Sequence, residues 1–413
     1  MESIIETTYT DEETGTVATT KDILKLLESV VSVDDNQEEK DDFVNGVSSN
    51  FPIDDSFNII GSTEVIKKFN DIEQNKADFI LGVKDITNVD FPDDRNKNFV
   101  PVRPLKFDVL DQTGKKTYTK NILSIYDARK KFLNGFYRLD YFANFAFSQD
   151  EKDLILNNLK ELNEKQYIQD LKMKFRLIES ENKWYLRSVV SDTRYKTFDN
   201  ATVMFIAFSK ISSFSKKSNV PFGIRYANIS DSKMELILSE QKSSEIAPGI
   251  YLKAGVSVTN SELGDGAVRF TFNYEVHNSN NKKFTVMDAQ LAQINHGHRF
   301  ETISSELNAI DEFTNQRARV VSLLQEINWT KKVTKESRAF KAVYANIALI
   351  AGQTISAPIK EQLLGAIDPE EIFKNAVTLI DVMGKLNDVI SKQSRDIQRI
   401  IEDRLNSLIP KLK

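Results

Sequence analysis

Residues 174–209 read KFRLIESENKWYLRSVVSDTRYKTFDNATVMFIAFS. Two alternating runs, KFRLIES and WYLRSVVS, flank a short Glu-Asn-Lys connection, which is the pattern of a β-hairpin. The run ATVMFIAFS that follows is continuously apolar and fits either a fully buried strand or a buried helix, because periodicity does not separate the two. Between them, the polar cluster from Asp192 to Asn200 reads either as a turn or as a contact surface.

Downstream, Lys233–Ser239, Gly249–Val258 and Val268–His277 each alternate, the last with Arg269, Thr271, Asn273 and Glu275 on one face. Together with the hairpin they predict a sheet of several strands with at least one polar face. Asn260-Ser-Glu-Leu-Gly-Asp-Gly266 is a turn-rich connection between two of them. After Asp288 the spacing becomes helical. Pro369, behind Asp368 as N-cap, opens an apolar stripe that runs to Leu408 and predicts a long helix able to self-associate or bind a partner. The fold class expected is α+β, a central, largely antiparallel sheet flanked by helices, with a helical C-terminal region. Four regions follow: an acidic, partly disordered segment over 1–60, a mixed helix and strand region over 61–170, a β-rich core over 171–300, and the helical region over 301–413.

The net charge of −5 conceals an asymmetry. Residues 1–60 hold 15 acidic residues against three lysines, whereas residues 165–225 hold 12 Lys and Arg against five acids. A local basic excess is what a phosphate backbone seeks. The expected nucleic-acid-binding residues are therefore Lys174, Arg176, Arg187, Arg194, Tyr195, Lys196, Lys216, Lys217 and Arg225. A ring between two cations, as at Arg194-Tyr195-Lys196, suits one nucleotide step, unless Asp192 pairs Arg194 and Asp199-Asn200 caps the next element. The acidic segment is then a candidate intramolecular competitor for that surface. Upstream, Lys115, Lys116, Lys120, Arg129, Lys130, Lys131 and Arg138 interleave with Tyr118, Tyr126, Phe132, Phe136, Tyr137 and Tyr141, either as a stacking surface or as ordinary core aromatics.

Cysteine is absent, which excludes disulfides, thiolate catalysis and Cys-based metal sites. The sequence holds no P-loop, dinucleotide-binding, zincin or nucleophile-elbow signature, so no catalytic residue and no cofactor is expected. His296 and His298 form a His-x-His pair that would need a third ligand to hold a metal. The N-terminus has no signal-peptide pattern, and no apolar run approaches the roughly 18 residues of a membrane span, so a cytoplasmic chain without a membrane anchor is expected.

Three pieces occur in order: Ser191-Asp-Thr-Arg-Tyr-Lys-Thr-Phe-Asp-Asn200, Val258-Thr-Asn-Ser-Glu-Leu-Gly-Asp-Gly-Ala267 and Asn295-His-Gly-His-Arg299. As a set they resemble the phage/plasmid-like proteins that carry a domain of unknown function found beside mobile-element replication and recombination genes. Thr193 interrupts the family's Ser-Asp-Arg-Tyr run, and NYEVHNSNN follows Phe272 where a Cys-Thr-Asn-Gly-like segment is usual. The resemblance implies a mobile-element setting and the handling of DNA. The function expected is binding or annealing of single-stranded DNA, by a non-enzymatic protein that oligomerises through its C-terminal helices. The alternative is a structural or protein-interaction component, such as a virion protein or an inhibitor of a host factor, assembling through the same helices.

Overall fold

The computed structural model describes all residues except 1–2, 12–14, 29–36, 94–102, 111–116, 192–197, 265 and 296–299; the side chains of 37–40, 117–118 and 300–301 are likewise outside the description. Strand β1 (Glu6–Thr10) is followed by helices α1 (Thr20–Glu28), α2 (Gln37–Asn50) and α3 (Ser62–Glu73), then by β2 (Lys76–Gly82), β3 (Ile86–Asp90), β4 (Lys106–Leu110) and β5 (Thr117–Ser124). Helix α4 (Ala128–Phe132) runs into a π-turn (Leu133–Tyr137), and α5 (Asp140–Ser148), α6 (Lys152–Asn163) and α7 (Gln166–Gln169) lead to the hairpin β6 (Lys172–Ser180) and β7 (Lys183–Ser191). Helix α8 (Asn200–Ser218) precedes β8 (Phe222–Ser230), β9 (Lys233–Glu240), β10 (Ser244–Ala247), β11 (Ile250–Ser261), β12 (Val268–Asn278) and β13 (Lys283–Ile294). Seven helices close the chain: α9 (Phe300–Glu306), α10 (Phe313–Gln325), α11 (Arg338–Ala348), α12 (Ala357–Ala366), α13 (Pro369–Lys374), α14 (Leu379–Ile390) and α15 (Arg395–Leu408).

The fold is α+β, as expected, but the strands divide between two sheets. One has the order β1-β8-β9-β11-β12-β13, with β10 added on β11; the other is β2-β6-β7-β5-β4-β3. All the pairings between strands are antiparallel except β5 with β7. The hairpin read from residues 174–191 is present, closed by Glu181 and Asn182 at φ of 52° and 56°. Positive φ at both loop residues is the turn whose twist matches that of the strands. It belongs to the second sheet, so the β-rich region expected over 171–300 is split after Ser191 between two bodies.

Helix α8 resolves the ambiguity of ATVMFIAFS and separates the sheets along the chain. It is buried nearly all round, packed between α1 and the larger sheet, and so shows no amphipathic period. Its buried serines satisfy their hydroxyls on backbone carbonyls: Ser209 donates to Pro52 O at 3.1 Å and Ser215 to Val220 O at 2.7 Å.

Two expectations are corrected. Where residues 1–60 are described, they are not a detached acidic tail: Tyr9, Ile23, Leu26, Leu27, Val47, Phe51 and Ile59 are buried in the main core, and β1 forms an edge strand of the larger sheet. The stripe from Pro369 to Leu408 is three helices rather than one. Asp368 caps α13 by accepting from Glu370 N and Glu371 N, and a capping box between Thr378 and Asp381 starts α14 afresh. Its apolar positions, among them Ile372, Leu379, Met383, Leu386, Ile401, Leu405 and Leu408, are consumed inside the chain against the same core. The stripe therefore reflects intramolecular packing rather than an open seam for a partner. Among the described residues, no helix is long and apolar enough to cross a membrane.

Candidate nucleic-acid interface

Alternation along β2, β6 and β7 sends Phe79, Leu81, Phe175, Leu177, Leu186 and Val189 toward α4–α7, where they form the smaller core. The opposite face carries Lys76, Asp78, Arg176 and Arg187, and it is covered by the larger body rather than by water. Arg176 is 2% exposed and Arg187 0%. Arg176 Nε pairs with Asp78 at 3.0 Å, and its Nη2 pairs with Asp199, the N-cap residue of α8, at 2.6 Å. Glu262, at the end of β11, receives Lys76 at 2.8 Å, Arg187 at 3.0 Å and the backbone N–H of Asn200 at 2.9 Å. Asn260 donates to Asn200 Oδ1 at 2.9 Å and to Phe198 O at 3.1 Å. Asp231 accepts from Tyr126 at 2.8 Å, and its carbonyl accepts from Arg187.

Burial opposes ionisation of Glu262, but Lys76, Arg176 and Arg187 together outweigh it and hold the carboxyl well below the usual range. Glu73 has fewer cations near it. Burial pushes its carboxyl up to about 7, reinforced by the charges of Glu262 and Asp199 and opposed by Lys76, 2.8 Å away. Burial likewise raises Asp199 and Asp231. This is an ionic lock between the two sheets, and two of the segments quoted above, ending at Asn200 and spanning Asn260–Glu262, meet in it.

Of the residues expected at the nucleic-acid surface, those described are therefore not brought together. Arg176 and Arg187 are corrected from surface cations to members of the lock, since both guanidiniums are buried among carboxylates and carbonyls between the sheets, where a phosphate does not reach them. Lys174 is buried on β6. Arg225, on β8, pairs with Glu275 at 3.1 Å. Lys216, in the last turn of α8, is bound to Asp54, and Lys217 beside it is exposed. Arg194, Tyr195, Lys196, His296 and His298 lie outside the described residues. Among the described residues, no group of three or more His, Asp or Glu stands ready for a metal, and His277 is occupied with Ser243 at 2.8 Å and with the ring of Tyr251.

A different surface has the required character. Where β6 begins and β7 ends, both strands run past the π-turn and leave two adjoining cavities of about 530 and 570 Å³ that share Gly135, Met173 and Ser191. Gly135 leaves room for the Met173 side chain here, since a Cβ there would lie 2.8 Å from its methyl and displace it. Lys130, Arg138 and Lys172 line the groove, are exposed, and have no carboxylate partner among the described residues. Lys131 is held by Ser188 and the carbonyl of Leu263, next to the lock. Among the described residues that line the groove, Asp127 is the one carboxylate.

Rings accompany these cations. Tyr167 lines the groove at 63% exposure, and Tyr141 and Phe145, at 88% and 65%, stand on α5, which begins two residues after Arg138. Arg138 itself takes φ 56°, ending the π-turn and redirecting the chain into α5. Lys130, Arg138 and Tyr141 belong to the interleaved basic and aromatic stretch of the sequence. Of its other rings, Tyr126, Phe132, Phe136 and Tyr137 are buried, and the side chain of Tyr118 lies outside the description. Lys172 counts toward the basic excess of residues 165–225 without being singled out, and Tyr167 had no signal beyond its own type. No known protein family matches the chain, and neither a characterised protein nor a solved structure matches it.

Proposed function

We propose that this protein binds single-stranded nucleic acid along the groove beside the π-turn, with Lys130, Arg138 and Lys172 taking phosphates and Tyr167, Tyr141 and Phe145 stacking on unpaired bases. The observation that carries this reading is the conjunction of three exposed, unpaired cations with the exposed ring of Tyr167 in one groove, Tyr141 and Phe145 being exposed on the helix that follows Arg138. Exposed rings cost hydration unless something covers them, and stacked bases supply about 1–3 kcal/mol each. A duplex hides its base faces and leaves the rings unused. The mobile-element setting implied by the resemblance adds annealing of strands as the activity that such binding would serve.

Fluorescence anisotropy with a labelled single strand and the matching duplex, at two salt concentrations, tests this. Three phosphate contacts give a log–log salt slope of about −2, so a fourfold rise in salt weakens binding roughly 18-fold. Lys130→Ala, Arg138→Ala and Lys172→Ala together should remove most of the slope, and Tyr141→Ala with Tyr167→Ala should lower affinity at all salts. No salt-sensitive binding to the single strand, or a triple variant that binds like the parent, would refute the reading. It would leave the exposed rings as a contact for a protein.

A further inference from the structure

Residues 76–191 form the smaller body as one continuous insertion between α3 and α8, both of which belong to the main core. Its own core closes over side chains between Phe79 and Val189. The two cores are separate, and among the described residues Leu263 with Ile125, Tyr126, Ile178 and Tyr185 is the small apolar cluster that joins the bodies. The rest of the junction is polar. Besides the ion pairs of the lock, Arg176 donates to Glu262 O at 2.9 Å, Ser188 donates to Leu263 O at 2.7 Å, and Tyr126 donates to Asp231. Both chain crossings lie in the lock: Glu73 ends α3 and faces Lys76, which opens β2, and Asp199 is the N-cap residue of α8.

The charges of the lock do not balance. Five carboxylates (Glu73, Asp78, Asp199, Asp231 and Glu262) meet three cations (Lys76, Arg176 and Arg187), and none of these side chains is more than 12% exposed. Lys131, at the edge, is matched by Asp127 at 3.4 Å. A buried carboxylate without a cation of its own takes up a proton rather than stay charged. Glu73 is placed to do so, because it shares Lys76 from β2 with Glu262 from β11 and also faces Asp199 from α8. Asp199 in turn faces Arg176 from β6, Glu262, and Asp78 and Lys76 from β2. Asp231, between β8 and β9, faces Arg187 from β7, Lys76 and the hydroxyl of Tyr126. Burial, reinforced by the charges of Glu262 and Asp199, is what pushes the Glu73 carboxyl up to about 7.

We propose that the lock is a proton-operated latch, which clamps the smaller body on the larger while it holds its protons and releases it as they leave with rising pH. The smaller body then comes off Asp231, Glu262 and Leu263 and turns on its two connections, with both cores intact. Deprotonation leaves unmatched negative charge in a closed junction, and opening is what admits water to it. Gly264, next to Leu263, lines the strand groove beside Lys130 and Lys131, so the groove loses a wall when the latch opens. That consequence rests on the strand-binding reading, whereas the latch itself does not.

The chain has no cysteine, so a single introduced thiol reports opening by its rate of modification, taken relative to the same variant unfolded in urea at the same pH. Ser188→Cys on the smaller body and Ser232→Cys on the larger are buried at the junction, and Ser212→Cys is buried on α8, where Ser212 bonds Asn58 instead. Glu73 titrates at about 7 when closed and at 4.5 once open to water, so the relative rates at both junction sites should rise about tenfold from pH 6 to pH 8.5. At each pH they should exceed the rate of Ser212→Cys, and adding Glu73→Gln should abolish the rise. Should Ser188→Cys itself loosen the junction, reacting at pH 6 as fast as when unfolded, Ser232→Cys decides. Junction thiols that react no faster than that of Ser212→Cys would overturn the proposal, because opening would then be unfolding. So would rates that do not rise with pH, or a rise that persists with Glu73→Gln. Anisotropy with a labelled single strand at both pH values reads the consequence separately: affinity should fall with pH in the parent and hold in Glu73→Gln. No binding at either pH would refute the strand-binding reading and leave the latch to the thiol rates.

Discussion

Glu262→Gln is the sharpest test of the lock between the two sheets. The substitution keeps the shape of the side chain and removes one charge. Its carboxylate is fully buried, with Lys76 at 2.8 Å, Arg187 at 3.0 Å and Arg176 at 4.0 Å. Lys76 retains Glu73, and Arg176 retains Asp78 and Asp199. Arg187 is left with backbone carbonyls and with Asp78 at 3.9 Å. Breaking a buried pair by removing one partner costs about 3–5 kcal/mol, because the other charge stays desolvated. For 413 residues unfolding as one unit, the entropy of unfolding at ~2.1 cal/mol/K per residue is about 0.9 kcal/mol/K. The melting temperature should therefore fall by about 3–6 °C, read by circular dichroism at pH 7.5 and again by urea titration. A variant that melts within about 1 °C of the parent in both assays would refute the view that Glu262 holds the two sheets together.

The pH dependence has a definite sign at Glu73. Its folded carboxyl titrates at about 7 against 4.5 ordinarily, so between those values the folded state binds more protons than the unfolded one. Stability should fall as pH rises through that window, by about 3 kcal/mol at ~1.4 kcal/mol per pH unit. Glu73→Gln should flatten this part of the curve and stabilise the protein above pH 7, and a variant that melts lower than the parent at pH 8 would count against it. Deleting residues 1–60 should abolish cooperative unfolding, since it removes β1 and the buried side chains of α1; a truncated chain with a sharp melt and an intact near-ultraviolet spectrum would show the core to be independent of them.

The strands of residues 172–191 and of β9, β11 and β12 were legible because a half-buried strand writes its period directly into the sequence. Helix α8 was not, because burial on every side erases the period. Its one residual signal, Ser209, Ser212, Ser215 and Ser218 at three-residue spacing, begins where the apolar run ends. Of the stretch around residues 115–141, the sequence indicated that cations and rings interleave, but packing decided that Phe132, Phe136 and Tyr137 are core while Tyr141 is exposed.

By itself, then, the sequence determined the α+β class, the strands β6, β7, β9, β11 and β12, the helix cap at Asp368, and the basic excess of the central region. Tertiary structure alone decided what that excess is for. Arg176 and Arg187 lie on the polar side of their strands, as alternation requires, but the carboxylates that neutralise them come from Asp78, Asp199 and Glu262, as far as 98 residues from Arg176 along the chain and further still from Arg187. Local spacing sets which side of a strand a charge occupies. Whether water or a second sheet covers that side depends on contacts between distant segments, which no local pattern encodes.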